Sequence, residues 1–263
     1  MLPKKLKPYL VNDLVRIGIK LDGGYVISQK IIENTKTLLS FGVFDEFSFE
    51  LDFKKKKANL KIFCYDHTVN NIFWVKNTIH WFFHFIRNRT NFSRIFRYFK
   101  YKRFFNGDDI KHIQKKIISS KRKEPNSLSI DQILNNTNEK IENISLKIDI
   151  ESDEYRILDD LINKNFLCLV IEFHNVDLHM DKILNFINTN KNMSIIHIHG
   201  NNFGHPDENG DPIYLEITFL NESLAGPNLN DINERNYPIK DLDFPNDTKR
   251  EDIILKFGNL NNR

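Results

Sequence analysis

The chain reads as an α/β protein, a doubly wound sheet of mainly parallel strands with a basic, aromatic helical insertion. Three observations predict this. Apolar runs such as LLSF, LCLVIEF and IYLEITF are continuous rather than alternating, as in strands covered on both faces. Helical patterns lie between those runs, which is how parallel strands are connected. One long segment dense in aromatics, Arg and Lys then breaks the alternation.

Taken in order, strand character is found at residues 25–27, 37–41, 60–65, 145–150, 166–173 and 194–199, with a late seventh stretch at 213–219. The stretch EYRILDDLINKN carries apolar residues at 155, 157, 158, 161 and 162, and LHMDKILNFINTN sets Leu178, Ile183, Leu184 and Ile187 on one stripe. The expected organisation is one domain over residues 1–263. It has an insertion or cap at about 70–123 and an irregular Asn-, Asp- and Pro-rich tail from about 221.

Composition narrows the function classes. Apolar residues at 40% allow a core, and charged residues at 28% are ordinary. Cys64 and Cys168 each sit in a strand-like run, which is no disulfide framework. The opening MLPKKLKPYLVNDLV has charge but no apolar signal region, so a reducing, cytoplasmic setting is expected. No uninterrupted apolar stretch reaches spanning length, so no transmembrane span is expected. Charge is uneven. Residues 54–123 hold 19 Lys and Arg against Asp66, Asp108 and Asp109, a local net of +16 in a chain of net +3. The partner of this segment should be anionic: a phosphorylated or nucleotide-linked substrate, a membrane surface at which the protein is peripheral, or nucleic acid. No RNP, KH or helix-turn-helix signature supports nucleic acid.

Ligands of doubly wound sheets bind beyond the carboxyl ends of the strands. Ser40 and Gly42 end the run LLSFGVF, where a glycine permits a sharp turn and close approach. Asp66 ends KIFCYD, at the spacing of an acid that accepts hydrogen bonds from a nucleotide ribose; a turn or helix-capping role is the alternative. Three later strands end in polar pairs spaced by two, which share a strand face: Asp149/Glu151, Glu172/His174 and His197/His199. Mixed carboxylates and imidazoles suit a divalent cation, here Asp149, Glu172, His197 and His199. A His beside a carboxylate also suits general-base work, with His174 or His197 as base; a hydrogen-bond network stiffening the sheet is the alternative. Glu151, Asn201, Asn202 and Arg16 are candidate substrate contacts.

Five motifs in order resemble the FkbM-type S-adenosylmethionine-dependent methyltransferases. LKIDIESDEYRIL at 146–158 resembles that family's LKIDIEGxExxxL block, with Ser152 for the usual Gly. SLSIDQIL at 127–134 resembles its SLDxLL lead-in, and RIGIKLDGGYVI, SFGVFDEFSFE and IHIHGNNFG with LEITFL resemble segments of a subgroup. The resemblance spans roughly residues 14–220, with 70–120 unmatched. It implies a seven-stranded sheet whose last strand is antiparallel, S-adenosylmethionine over the first two strand ends, Gly42 in the cofactor loop, Asp66 at the ribose and Asp149 beside the methyl-transfer point. The implied activity is O-methylation of a sugar, nucleotide sugar or glycan hydroxyl, with Mg²⁺ or Mn²⁺ as an optional second cofactor. Phe44 stands where the subgroup has Gly, which would narrow the cofactor pocket. A methyltransferase-like binding module without turnover, and an RNA-binding or RNA-modifying enzyme, are the competing expectations. Acceptor and oligomeric state are not legible.

Overall fold

The computed structural model describes residues 1–87, 94, 96–225 and 231–258. The chain opens with β1 (Leu2–Pro3), then a hairpin of β2 (Leu14–Ile17) and β3 (Tyr25–Ser28), then α1 (Gln29–Asn34). A βαβ run follows through β4 (Thr37–Phe41), α2 (Ser48–Lys56) and β5 (Lys61–Tyr65). Helices α3 (Asn71–Ile86) and α4 (Arg97–Phe104) precede β6 (Ile110–Ile113), and the short pair β7 (Lys116–Ile118) and β8 (Ser127–Ser129) leads into α5 (Ile130–Thr137). The second half alternates β9 (Ile144–Ile148), α6 (Glu154–Leu161), β10 (Cys168–Phe173), α7 (Val176–Thr189), β11 (Met193–Gly200) and β12 (Leu215–Asn221). A single turn, α8 (Glu222–Ala225), follows, and β13 (Phe257–Gly258) pairs in parallel with β1.

Seven strands form the main sheet in the order β11-β12-β10-β9-β4-β5-β6. Every pair from β10 to β6 is parallel, and β12 runs antiparallel to both β10 and β11. This is the doubly wound, mostly parallel sheet with a reversed last strand that the motifs implied. Its membership differs from expectation in one place. Residues 25–28 pair only with Leu14–Ile17 in a separate hairpin, and Ile110–Ile113 takes the seventh place at the edge beside β5. In β6 only Ile110 is buried, because an edge strand is covered less fully. It therefore lacks the continuous apolar run by which its neighbours were read.

Helices cover both faces. On one side Ile133 of α5, Ile157 and Leu161 of α6, and Ile183 and Phe186 of α7 pack on Leu146, Ile148, Leu169 and Ile171. On the other, Ile31 of α1, Phe49 and Phe53 of α2, and Trp74, Tyr101 and Phe104 of α3 and α4 gather around the hairpin with Ile62, Cys64 and Val170. Local signals set the helix starts: Ser129 and Gln132 form a capping box on α5, and Asn70 Oδ1 accepts from the Phe73 N–H at α3. Leu178 leaves the expected stripe of α7. It is 71% exposed beside a non-helical His179, and the buried face of α7 is made by Val176, Ile183 and Phe186.

Candidate active site

A cavity of about 610 Å³ lies over the carboxyl ends of β4, β5 and β9. Its floor is the turn after β4. The Gly42 N–H donates to Tyr65 O (3.0 Å), and the Asp149 N–H donates to Phe41 O (2.9 Å). Gly42 has φ +77°, and a Cβ placed there would stand 1.7 Å from Asp149 O. Only glycine lets β4 and β9 close this tightly. The next turn is tied to β5, because Asp66 accepts from the Val43 and Phe44 N–H groups through Oδ2 and from the Thr68 N–H and hydroxyl through Oδ1. Burial raises a carboxyl pKa, but here those hydrogen bonds outweigh it, and Asp66 is held below its ordinary range. Phe44 takes a left-handed φ of +45°, stays 56% exposed, and leans on Phe73 at 5.0 Å. The cavity therefore persists with the Phe44 ring in place.

Beside the cavity a polar row crosses the sheet. Lys147, buried on β9, donates to Gly42 O (3.1 Å) and stands 3.5 Å from Asp149 Oδ2. Burial would discharge it, but Asp149, Glu50 and Glu172 more than compensate and keep its pKa raised. Tyr25 Oη donates to Glu172 Oε2 (3.0 Å) and lies 3.3 Å from Asp149 Oδ2. Asn201 donates to Glu172 Oε1 (2.7 Å), and Asn246 donates to Glu216 Oε1 (2.6 Å) and to Asp22 Oδ1 (3.2 Å). Burial, then the charges of Asp149, Glu216 and Asp22, push Glu172 well above the usual carboxylate range. Asp22 is lifted to about 6 by burial and by Glu216.

His174 closes the row. Its backbone N–H donates to Glu154 Oε1 (2.7 Å), which lies 3.3 Å from its Nδ1. Its Nε2 faces Glu151 (3.6 Å), Glu172 (3.8 Å) and Asp149 (3.9 Å). Burial works against its proton, but Glu154, then Asp149 and Glu151, reverse this and raise its pKa. Asp149, Glu172 and His174 each offer a ligand atom within 4.8 Å of the others, and Asp22, Glu172 and Glu216 do the same.

Several expected site residues are placed elsewhere. His197 is buried against Asp243 (3.1 Å) and does not line the cavity. His199 stands between Glu216 (3.1 Å) and Asp252 (3.1 Å), whose hydrogen bonds overcome burial and lift it to about 10. A His held protonated between two acids has no lone pair for a cation, so the structure groups Asp149 and Glu172 with His174 instead. Ser40 is fully buried and donates to Glu50 rather than reaching the cavity. Arg16 spends its guanidinium on the carbonyls of Ile19, Leu21 and Leu242, over the Phe244 ring. Asn202 holds the tail through the carbonyls of Asp247, Arg250 and Glu251. Glu151 lies on the cavity rim with its side chain 87% exposed.

Sequence reasoning did not single out Tyr25, Lys147, Asp22, Glu154 or Glu216. The Lys147 signal was available, since a lysine within the apolar strand ISLKI needs buried acids. Ser152, at φ +74°, follows Glu151 at φ +53°, so two adjacent residues occupy the left-handed region at the position where the motif has Gly.

The chain matches no protein-family model and no curated protein. Among solved structures it is similar to one from a fibrillarin/Nop5p complex, at 9% identity over 72% of this chain and 73% of that one, with a TM-score of 0.40. It is similar to precorrin-6y C5,15-methyltransferase from Geobacter metallireducens GS-15 at 8% identity, over 73% and 86% of the two chains, with a TM-score of 0.39. For M. jannaschii TYW2 in complex with AdoMet the figures are 8% identity, 81% and 89% coverage, and a TM-score of 0.36. At these scores nothing about activity, cofactor or acceptor passes from those proteins to this chain.

Proposed function

We propose that the protein is an S-adenosylmethionine-dependent O-methyltransferase acting on a sugar, nucleotide sugar or glycan hydroxyl. One observation carries this reading: the Gly42 cavity at the strand ends is lined by Asp149, whose carboxylate lies beside the buried Glu172 and His174. The cavity suits a nucleoside-sized ligand, and its glycine floor admits one close to backbone. Gly42, Val43 and Phe44 would hold the cofactor from below, with Tyr65 and His67 along its side. When bound, S-adenosylmethionine supplies a methyl group on a sulfonium. Lys115 and Lys116 also line the cavity and suit the phosphates of a nucleotide sugar.

The chain's own residues then have two tasks. Positioning falls to the fixed turn at Gly42 and to Asp149, whose N–H donates to Phe41 O at the end of β4. Proton removal falls to His174. Glu154 fixes its Nδ1 side, so Nε2 is the nitrogen directed at Asp149 and Glu172, where a hydroxyl proton would arrive. As an alternative to that base role, Asp149, Glu172 and His174 fit a divalent cation, whose ligation would occupy Nε2. Burial, with the neighbouring carboxylates, drives Glu172 toward its protonated form, a cation would relieve that carboxylate crowding, and the Glu154 contact orients His174 as metal-ligating imidazoles are oriented. When bound, such an ion supplies Lewis acidity toward a substrate hydroxyl. The nitrogen ligand favours Mn²⁺ over Mg²⁺.

A second reading, a binding module without turnover, is favoured by Asp66. All four acceptor positions of that carboxylate are engaged within the protein, which leaves none for a ribose. Calorimetric titration with S-adenosylmethionine and S-adenosylhomocysteine, with and without Mn²⁺, separates the two. Micromolar affinity supports the enzyme, and no binding under any condition leaves the module. In the enzyme, His174→Gln should lower turnover by about a hundred-fold or more while cofactor affinity stays near wild type. Unchanged turnover would remove His174 from the mechanism.

A further inference from the structure

Helix α3 has two apolar faces, and only one is used by the fold. Trp74 and Trp81 turn inward, where Trp74 packs on Tyr98 at 5.8 Å and Tyr101 at 4.7 Å. On the opposite side Ile72, Val75, Ile79, Phe82, Phe83 and Ile86 are 49–65% exposed. At helical spacing these six positions fall within an arc of about 100°, a continuous outward stripe. Lys76, Arg87 and His80 border one edge of it. Neither α3 nor α4 contains an acidic residue. Among the described residues no helix is long and apolar enough to cross a membrane.

We propose that α3 is a docking helix that lies in the surface of an anionic lipid bilayer. An in-plane helix needs this division, with apolar side chains for the acyl boundary and basic ones at headgroup level. The local net charge of +16 over residues 54–123 complements an anionic leaflet and works against a second copy of the same chain, whose stripe would bring an equal positive field with it. Single-stranded nucleic acid is a poorer fit. Four of the six stripe residues are aliphatic and have no ring for a base to stack on, and the basic residues flank the stripe rather than track a groove.

The docked helix would touch the cavity directly. α3 begins straight after the turn that Asp66 holds, and Phe73 packs on Phe44 at 5.0 Å. Arg97 of α4 donates to Asp45 Oδ2 (2.6 Å) and Glu46 Oε2 (2.8 Å) on the same rim. The membrane-facing helix and the cavity mouth are therefore one packed unit. This proposal does not rest on the methyltransferase reading.

The test is sedimentation of the full chain with sucrose-loaded vesicles of phosphatidylserine and phosphatidylcholine, against vesicles of phosphatidylcholine alone. Wild type should pellet with the anionic vesicles and stay in solution with the neutral ones. Binding should weaken by about tenfold or more as salt rises from low to several hundred millimolar. Replacing Ile79, Phe82 and Phe83 together by Asp should lower partitioning by about a hundred-fold or more. All three side chains point away from the core, so the thermal midpoint should hold. Leu178→Asp, a control on α7, should bind as wild type does.

The proposal is overturned if wild type ignores anionic vesicles, binds neutral ones equally well, or keeps its affinity with the three aspartates. It is equally overturned if, without lipid, the wild type forms a dimer by ultracentrifugation that the triple variant abolishes. Salt-sensitive RNA binding with no vesicle binding would overturn it in favour of a nucleic-acid face.

Discussion

Replacing Asp22 by Asn should stabilise the protein, and only above acidic pH. Asp22 Oδ1 accepts from Asn246 (3.2 Å) and Asn201 (3.4 Å) beside the Glu172 and Glu216 carboxylates. Burial and Glu216 raise its pKa from 3.8 to about 6. The folded state thus holds this proton more tightly than the unfolded chain does. The stability from that proton is complete below about 3.8 and is lost as pH rises through about 6. Moving the pKa from 3.8 to about 6 corresponds to about 3 kcal/mol. Asp22 lines the cavity, where water and salt screen it, so about half of that, ~1.5 kcal/mol, is the working figure. Asn keeps the acceptor for Asn246 and offers an N–H to the neighbouring carboxylates in place of a charge. Urea unfolding of both proteins across pH 4.5 to 8 measures the difference. The variant should gain on wild type as pH rises toward 6 and hold its lead above that. A variant that is less stable at pH 8, or a gap that does not change with pH, would refute the reasoning.

Two further substitutions probe the turn and the tail. Gly42→Ala would set a Cβ 1.7 Å from Asp149 O at φ +77°, so β4 and β9 must part by about 1 Å or more. The expected result is a stability loss of about 2 kcal/mol or more together with a cofactor affinity reduced by at least tenfold, read by urea titration and calorimetry; normal values of both would contradict the described turn. His199→Gln should cost about 3 kcal/mol at pH 7, because Glu216 and Asp252 lose the cation between them. The folded-state pKa of His199 is raised from 6.5 to about 10, so the stability it brings is complete below 6.5 and lost as pH rises through 10. The two proteins should therefore converge toward pH 10, and parallel stability curves would argue against a charged His199.

The framework was legible where burial on both faces left a mark. Strands β4, β10 and β12 are buried along their whole length, and continuous apolar runs announced them; β9 and β11 are equally buried but carry Lys147, His197 and His199 within them. The hairpin strand Tyr25–Ser28 is equally buried, and burial alone does not tell which sheet a strand joins, while β6 at the edge gave almost no signal. Residues Gly42 and Asp149, which adjoin the cavity through main chain near their own strand ends, could be read from position. The roles of His197 and His199 could not. Spacing by two does place both on one face of β11, but their partners Asp243 and Asp252 come from a tail with no periodic pattern. Nor does any local rule tell a free carboxylate from one like Asp66, whose Oδ2 is claimed by the backbone of a different turn.

That tail also sets an order of events. Asp243, Asn246 and Asp252 are synthesised well after the strands they serve, yet they supply the counter-charges and hydrogen bonds of His197, Glu216 and His199. While the chain emerges from the ribosome, the far edge of the sheet must wait with buried ionisable groups and no partners. Nucleation should therefore begin around β4 and β5, which pair across the single helix α2 and are close in sequence. The edge formed by β11 and β12 should dock last, when residues 237–255 wrap beneath it, and until then no nascent chain would carry a complete polar row.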